Sequence, residues 1–259
     1  MKICDIINKF ETLFDRSKSC EWDNDGVMLL IDRDEEVKGV LVTLDVTDDA
    51  IDAAIASGAN LIISHHPMIF KPLKRIDDST LSERIKRLIK SGVSVISYHT
   101  RFDSSEGGMN DLLARKLSLK NPRPFGLEGE IPMGRIGEID SLSPAEFASV
   151  IADTLTTDVI LYEGRGEIKT VAILGGGGKD FIHQAHLEGA DAMVTGDISY
   201  SVVTEELPLG ITMIDAGHYA TEILAVDAFF DILKEHFGIE AIKHYGKDPK
   251  KFIIRQEEL

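Results

Sequence analysis

Short apolar runs recur along this chain, and a stretch with helical spacing follows most of them. The runs lie within 37–46 (VKGVLVTLDV), 60–64 (NLIIS), 93–98 (VSVISY), 168–174, 191–195 and 211–215. Residues that are apolar at consecutive positions over so short a length suit strands covered on both faces. Strands alternating with helices argue for parallel sheet built from right-handed βαβ units, so the chain reads as α/β.

Helices are expected over 1–16, 48–57, 81–91, 106–118, 144–155, 179–189, 199–206 and 218–236. Thr47, Ser79 or Thr80, and Ser143-Pro144 supply their start signals, and Gly58 and Gly92 their stops. Further strands are expected near 136–140, 158–163, 240–244 and 251–255. The proline- and glycine-rich stretch 119–135 reads as a connector or boundary. Trp22, the one tryptophan, reads as a packed anchor beside the turn Trp22-Asp23-Asn24-Asp25-Gly26.

At 259 residues the chain has room for one large α/β domain or two smaller ones. A net charge of −16 argues against non-specific binding to nucleic acid or an anionic membrane. There is no apolar run of transmembrane length and no signal-peptide pattern near Met1. Cys4 and Cys20 form no C-x-x-C pair and read as partly buried small residues. A reduced cytoplasm is the expected setting.

Two stretches share a plan. Residues 37–66 run strand, helix, Gly58-Ala59-Asn60, strand, His65-His66. Residues 168–197 run strand, helix, Gly189-Ala190-Asp191, strand, Gly196-Asp197. The likeness continues in His99-x-x-x-Asp103 after one strand and His218-x-x-x-Glu222 after another. The chain therefore reads as two related α/β lobes, 1–125 and 126–259, with the C-terminal strands 237–259 expected to pack back on the first. Ligands at strand ends of two such lobes converge in the crevice between them.

Imidazoles and carboxylates without thiolates suit a divalent zinc, iron, manganese, nickel or cobalt ion. His218 and Glu222, four apart on a helix, lie on one face about 6 Å apart along the axis. Neighbours in extended backbone point to opposite sides, so His65 and His66 suit two different ions. Two dications about 4 Å apart need a bridging anion, a part open to Glu222 or Asp103. His99 reads either as a ligand or as a partner holding Asp103. His183, His186, His236 and His244 read as surface residues. The run Gly175-Gly178 fails both the Walker A and the dinucleotide-binding fingerprints. It reads as a flexible turn approaching the facing lobe.

Glu21-Trp22-Asp23-Asn24, Ser64-His65-His66-Pro67, Tyr98-His99-Thr100 with Asp103, and Gly217-His218-Tyr219-Ala220-Thr221-Glu222 together resemble the NIF-three-like family. Its members carry the name GTP cyclohydrolase 1 type 2 homolog. The resemblance covers nearly the whole chain. It implies a two-lobed fold with a dinuclear metal centre between the lobes and assembly as a toroidal homohexamer. Two divalent metal ions per chain are implied. His66 and Asp103 would hold one, His65 and His218 the other, and Glu222 would bridge both. The implied activity is metal-dependent hydrolysis of a nucleotide or related small molecule; the alternative is a non-enzymatic metal-binding, regulatory or metal-delivery assembly. One departure stands out: relatives carry a histidine shortly after the Gly196-Asp197 position, where this chain has Ser199-Tyr200-Ser201. Tyr200 and His99 are the candidate substitutes.

Overall fold

The computed structural model describes residues 1–251 and contains two sheets with helices between and around them. The first block comprises α1 (Ile3–Leu13), β1 (Gly26–Leu29), β2 (Val40–Thr43), α2 (Asp48–Ser57), β3 (Leu61–Ser64), α3 (Thr80–Ser91) and β4 (Ser94–Ser97). Two helices, α4 (Thr100–Ser104) and α5 (Met109–Lys116), lead to the hairpin β5 (Lys120–Glu128) and β6 (Ile131–Leu142). The second block comprises α6 (Pro144–Leu155), β7 (Ile160–Tyr162), β8 (Ile168–Ile173), α7 (Ile182–Leu187), β9 (Ala192–Thr195), α8 (Tyr200–Glu206) and β10 (Thr212–Asp215). Then follow α9 (His218–Glu222), α10 (Leu224–Phe237) and β11 (Ile242–His244). The strand expected over 251–255 extends outside the described residues.

Strand order is β1-β4-β3-β2-β11 in the first sheet and β5-β6-β8-β9-β10-β7 in the second. The central strands β2-β3-β4 and β8-β9-β10 run parallel, as the alternation predicts. One edge of each sheet does not: β1 pairs antiparallel with β4, and β7 with β10. Both blocks thus follow one connectivity, with the strand that precedes each parallel trio pairing with its last member. The chain leaving each block then completes the other sheet. After α5, β6 adds beside β8; after α10, β11 adds beside β2.

The period-2 pattern of the strands sorts their side chains between cores. Val40, Val42, Leu61, Ile63 and Ile96 face Val171, Ile173, Val194 and Ile214 across one shared core that includes residues of α1, α5, α6 and α10. The intervening Leu41, Ile62 and Val95 pack under α2 and α3, and Ala172, Met193 and Met213 pack with α7.

Several expectations change in the structure. Residues 119–135 belong mostly to the β5–β6 hairpin, so the division expected at 125/126 falls inside β5. Pro122 and Pro124 sit on that edge strand, where a missing N–H breaks little of the ladder. The helix expected over 218–236 is two helices. The Thr221 hydroxyl bonds back to the Gly217 and His218 carbonyls, a contact that bends helices, and the break follows at Ile223. Trp22 is not packed away: it is 52% exposed. Among the described residues, no helix is long and apolar enough to cross a membrane.

α6 spans the range its sequence signals predict, because its start is fully capped. Ser143 Oγ accepts from the Glu146 N–H at 3.4 Å, and the Glu146 carboxylate accepts from the Ser143 N–H at 3.0 Å. Ser143→Ala should lower unfolding free energy by about 1 kcal/mol and the melting midpoint by about 2–4 °C. Calorimetry reads this directly, and an unchanged midpoint would show that the cap contributes nothing.

Candidate metal centre

The carboxyl ends of both parallel trios point at one place. From the first sheet come His65 and His66, directly after β3, and His99 and Asp103, after β4 and on α4. From the second come His218 and Glu222 on α9.

Glu222 stands in the middle, 3% exposed. Its Oε2 lies 2.9 Å from both His66 Nε2 and His218 Nε2, and its Oε1 3.7 Å from His65 Nε2. His66 Nε2 and His218 Nε2 are 3.3 Å apart. His65 is wholly buried, with Nε2 3.5 Å from Asp103 Oδ1. The ligand-capable atoms therefore fall into two triads that share Glu222: His65, Asp103 and Glu222, and His66, His218 and Glu222. These adjacencies reverse the pairing that the resemblance implies. The carbonyl of Tyr98 holds His65 Nδ1 at 2.9 Å and turns the ring toward α4, while Asp45 at 2.7 Å turns His66 toward α9.

Every imidazole in the cluster is held in the same way. His65 Nδ1 meets Tyr98 O, His66 meets Asp45, His99 meets Asp23 at 2.9 Å, and His218 meets Asp197 at 2.8 Å. A carbonyl or carboxylate only accepts, so each Nδ1 carries a proton and each Nε2 can offer a lone pair inward. Among the described residues, His65 Nε2 and Asp103 Oδ1 are buried with no hydrogen-bond partner. Lone pairs gathered this closely repel unless a positive charge, a proton or a metal ion, lies among them. The donor set, nitrogen and oxygen without sulfur, fits a divalent transition metal.

The ionisation of the cluster follows from these contacts. Burial lowers the basicity of His66, but bonds to Asp45 and Glu222 outweigh it and raise its pKa to about 10. His218 rises to about 9 against burial, mainly through Glu222. Burial pushes Asp103 up to about 7, opposed by His65. Glu222 is held well below its usual range in spite of burial, by the imidazoles of His218, His65 and His66 around it.

The supports are local and specific. Each end of the short helix α4 is tied down. Asp23 accepts from the Thr100 N–H and hydroxyl, Arg101 is buried against Asp25 and Glu11, and Ser104 bonds to Lys18 O. Asn110 joins the two sheets' contributions, donating to Asp103 O and accepting from the Gly175 N–H. The glycine run is no phosphate cradle: Gly176 donates to Thr221 and packs against the Glu222 carboxylate. At φ +67° it also occupies a conformation that favours glycine.

Of the remaining candidates, Tyr200 is 83% exposed on α8 and takes no part in the cluster. His99 does, with Nε2 within ligand-sharing distance of His65 and His66. His183 and His236 are exposed as expected, but His244 is half-buried beside Thr43 and Asp49. Asp45 and Asp197, which the spacing of the histidines does not single out, do have a signal in the sequence: each follows the end of a buried strand segment (VLVTL, AMVTG).

The sequence pattern of Duf34/NIF3 (NGG1p interacting factor 3) matches residues 1–249. The chain belongs to that family. It is 32% identical to the GTP cyclohydrolase 1 type 2 homolog of Clostridium perfringens, over 98% of this chain and 100% of that one. Identity to the GTP cyclohydrolase 1 type 2 homolog of a Nostoc species is 34%, with the same coverage. Among solved structures, Staphylococcus aureus hypothetical protein SA1388 superposes with a TM-score of 0.89 at 28% identity, over 98% of this chain and 99% of that one. Reduced HcgD from Methanocaldococcus jannaschii superposes with a TM-score of 0.83 at 26% identity, over 94% and 97%. The family fold therefore extends along nearly the whole chain.

Two outcomes follow from the supports. Gly176→Ala places a Cβ against Glu222 Oε1. It should weaken divalent-metal affinity about tenfold or more while circular dichroism stays unchanged; unaltered affinity would show that Glu222 needs no close backbone. Burial pushes the Asp23 carboxyl up, yet bonds from His99 and Thr100 prevail and hold it at about 2, below its ordinary 3.8. A depressed carboxyl stabilises the fold fully above about pH 4 and loses that contribution as pH falls through about 2, a change of about 2 kcal/mol. Urea unfolding of wild type and Asp23→Asn should therefore differ most at pH 5 and converge toward pH 2.

Proposed function

We propose that this chain binds two divalent metal ions and is a metal-dependent hydrolase acting on a nucleotide or a related small molecule. The observation that carries the reading is the pair of triads sharing a buried Glu222, with His65 Nε2 and Asp103 Oδ1 left without hydrogen-bond partners among the described residues. His65, Asp103 and Glu222 would hold one ion; His66, His218 and Glu222 the other. Bound there, the ions would supply Lewis acidity and lower the pKa of a coordinated water.

The chain's own residues do the positioning. Asp45, Asp197 and the Tyr98 carbonyl fix which imidazole nitrogen faces inward, and the buried carboxylates set the negative charge that two dications offset. A cavity of about 530 Å³ opens beside His66 and His218, walled by Thr43, Asp49, Tyr219, Tyr245 and Lys250. That size suits a small molecule rather than a polymer. The name that the relatives carry, GTP cyclohydrolase 1 type 2 homolog, supports a nucleotide. A toroidal homohexamer in a cytoplasmic setting belongs to the same proposal, and light scattering reads the assembly. A second reading, a metal-delivery or regulatory assembly without catalysis, draws on Tyr200, whose exposure sets it apart from the cluster and so argues against it as a substitute for the missing histidine near Ser199.

Metal quantification and a turnover screen on one preparation test both. The hydrolase reading expects about two equivalents per chain, lost in His65→Ala/His66→Ala, and turnover abolished by Glu222→Gln with the fold retained. Full occupancy with no turnover across nucleotides and phosphoesters would favour the second reading, and turnover that survives Glu222→Gln would overturn the role given to that carboxylate.

A further inference from the structure

The motif Trp22-Asp23-Asn24 does three different things at the rim of the centre. Asp23 orients His99 and caps α4. Asn24 donates to the carbonyl of Ile69 and so holds the loop that carries Phe70. Trp22 stands between them, its ring centroid 6.2 Å from that of His99 and 6.1 Å from that of Phe70. His99 in turn lies 5.3 Å from His65 and 5.6 Å from His66, ring to ring.

Trp22 and Phe70 are among the large apolar side chains that face water, at 52% and 45% exposure. Yet the indole is not loose: its Nε1–H donates to Glu128 at 3.2 Å, from the β5–β6 hairpin of the other sheet. Its neighbours lie at 57° and 72° to it, so neither stacks on it in parallel. An anchored, half-open aromatic ring next to a catalytic centre has the form of a stacking surface. The loop after Phe70 adds charge. Lys71, Lys74 and Arg75 are exposed, and neither lysine makes an ion pair among the described residues. On a chain of net charge −16 this local concentration of cations suits an anion.

We infer that Trp22, Phe70 and His99 form the stacking site for the planar heteroaromatic ring of a mononucleotide, with Lys71 and Lys74 facing its phosphate. The site rests on the nucleotide reading above and places the ring at the rim across the centre from the His66–His218 cavity, over His99 and beside His65 and Asp103. It also assigns the Trp-Asp-Asn motif a purpose that the metal ligands alone leave unexplained.

Trp22 is the only tryptophan, so binding is visible without turnover. The zinc-loaded chain is titrated with GMP, guanosine and ribose 5-phosphate, following tryptophan fluorescence and calorimetric affinity. GMP and guanosine should quench the emission; ribose 5-phosphate, which lacks the ring, should not. Trp22→Ala should weaken GMP about 5- to 100-fold, with Trp22→Phe retaining most of the affinity. Lys71→Ala/Lys74→Ala should weaken GMP a few-fold and leave guanosine unchanged. Metal content and circular dichroism confirm that each variant is folded and loaded. GMP that binds without quenching, fails to bind, or binds Trp22→Ala as tightly as wild type overturns the inference. So does an unchanged GMP affinity accompanied by a change in oligomeric mass, which would make the shelf an interface between copies. The two readings fail separately. A chain that holds GMP on Trp22 without turning it over keeps the shelf and loses the hydrolase; nucleotide turnover with a KM unmoved by Trp22→Ala does the reverse.

Discussion

A carboxylate buried almost completely from water, Glu222, sets the terms for its surroundings. An isolated ion at such a place costs far more than folding can spare, so it persists only when opposite charge and hydrogen bonds surround it. His66 and His218 meet it at 2.9 Å. A second carboxylate, Asp103, is buried on the far side of His65, where burial already drives its pKa toward neutrality. Two acids and four imidazoles in one small volume need a positive charge, a proton or a metal ion, among them. The backbone around it reflects the same demand: a glycine at Gly176 to admit the carboxylate, and the Thr221 hydroxyl to bend the helix that delivers it.

Much of the scaffold was legible because strands and helix ends are written locally. Two-sided apolar runs mark the six central strands, and Thr47, Ser79 and Ser143 mark helix starts within a residue. His65 and His66 were legible for a related reason, standing directly beyond β3, while Asp103, His218 and Glu222 lie on the helices that follow β4 and β10. What escaped was long-range. Asp23 meets His99 across 76 positions, and Asp45 and Asp197 each meet their histidines across 21. No periodicity encodes such pairs. The order of His65 and His66 escaped too, because side-chain alternation says that the rings diverge without saying which goes where. The hairpin at 120–142 was obscured by prolines that an edge strand tolerates, and Trp22 by the habit of assigning a lone tryptophan to a core.

The two blocks show how one frame can carry different chemistry. After the middle strand of the trio, the first block places His65-His66 and the second Gly196-Asp197. After the last strand, the first gives His99 and Asp103, the second His218 and Glu222. Asp197 no longer faces the centre as a ligand; from a left-handed backbone position, φ 57°, it steadies His218. His99 sits where His218 does and is oriented by a carboxylate in the same manner, with Trp22 beside it in place of a second sheet's ligands.

The exchange of strands between the sheets has a mechanical meaning. In many two-lobed proteins the lobes swing about a linker, and the crevice opens and closes. Here the chain crosses between the sheets twice, from α5 into the β5–β6 hairpin of the second and from α10 into β11 of the first. Both crossings are short, and the shared apolar core with its residues of α1, α5, α6 and α10 lies between the sheets, so parting the halves would expose it to water. The centre is therefore clasped rather than hinged. Traffic to it must pass through its rims, by the movement of loops and side chains, while the spacing of the imidazoles and carboxylates stays as the clasp holds it.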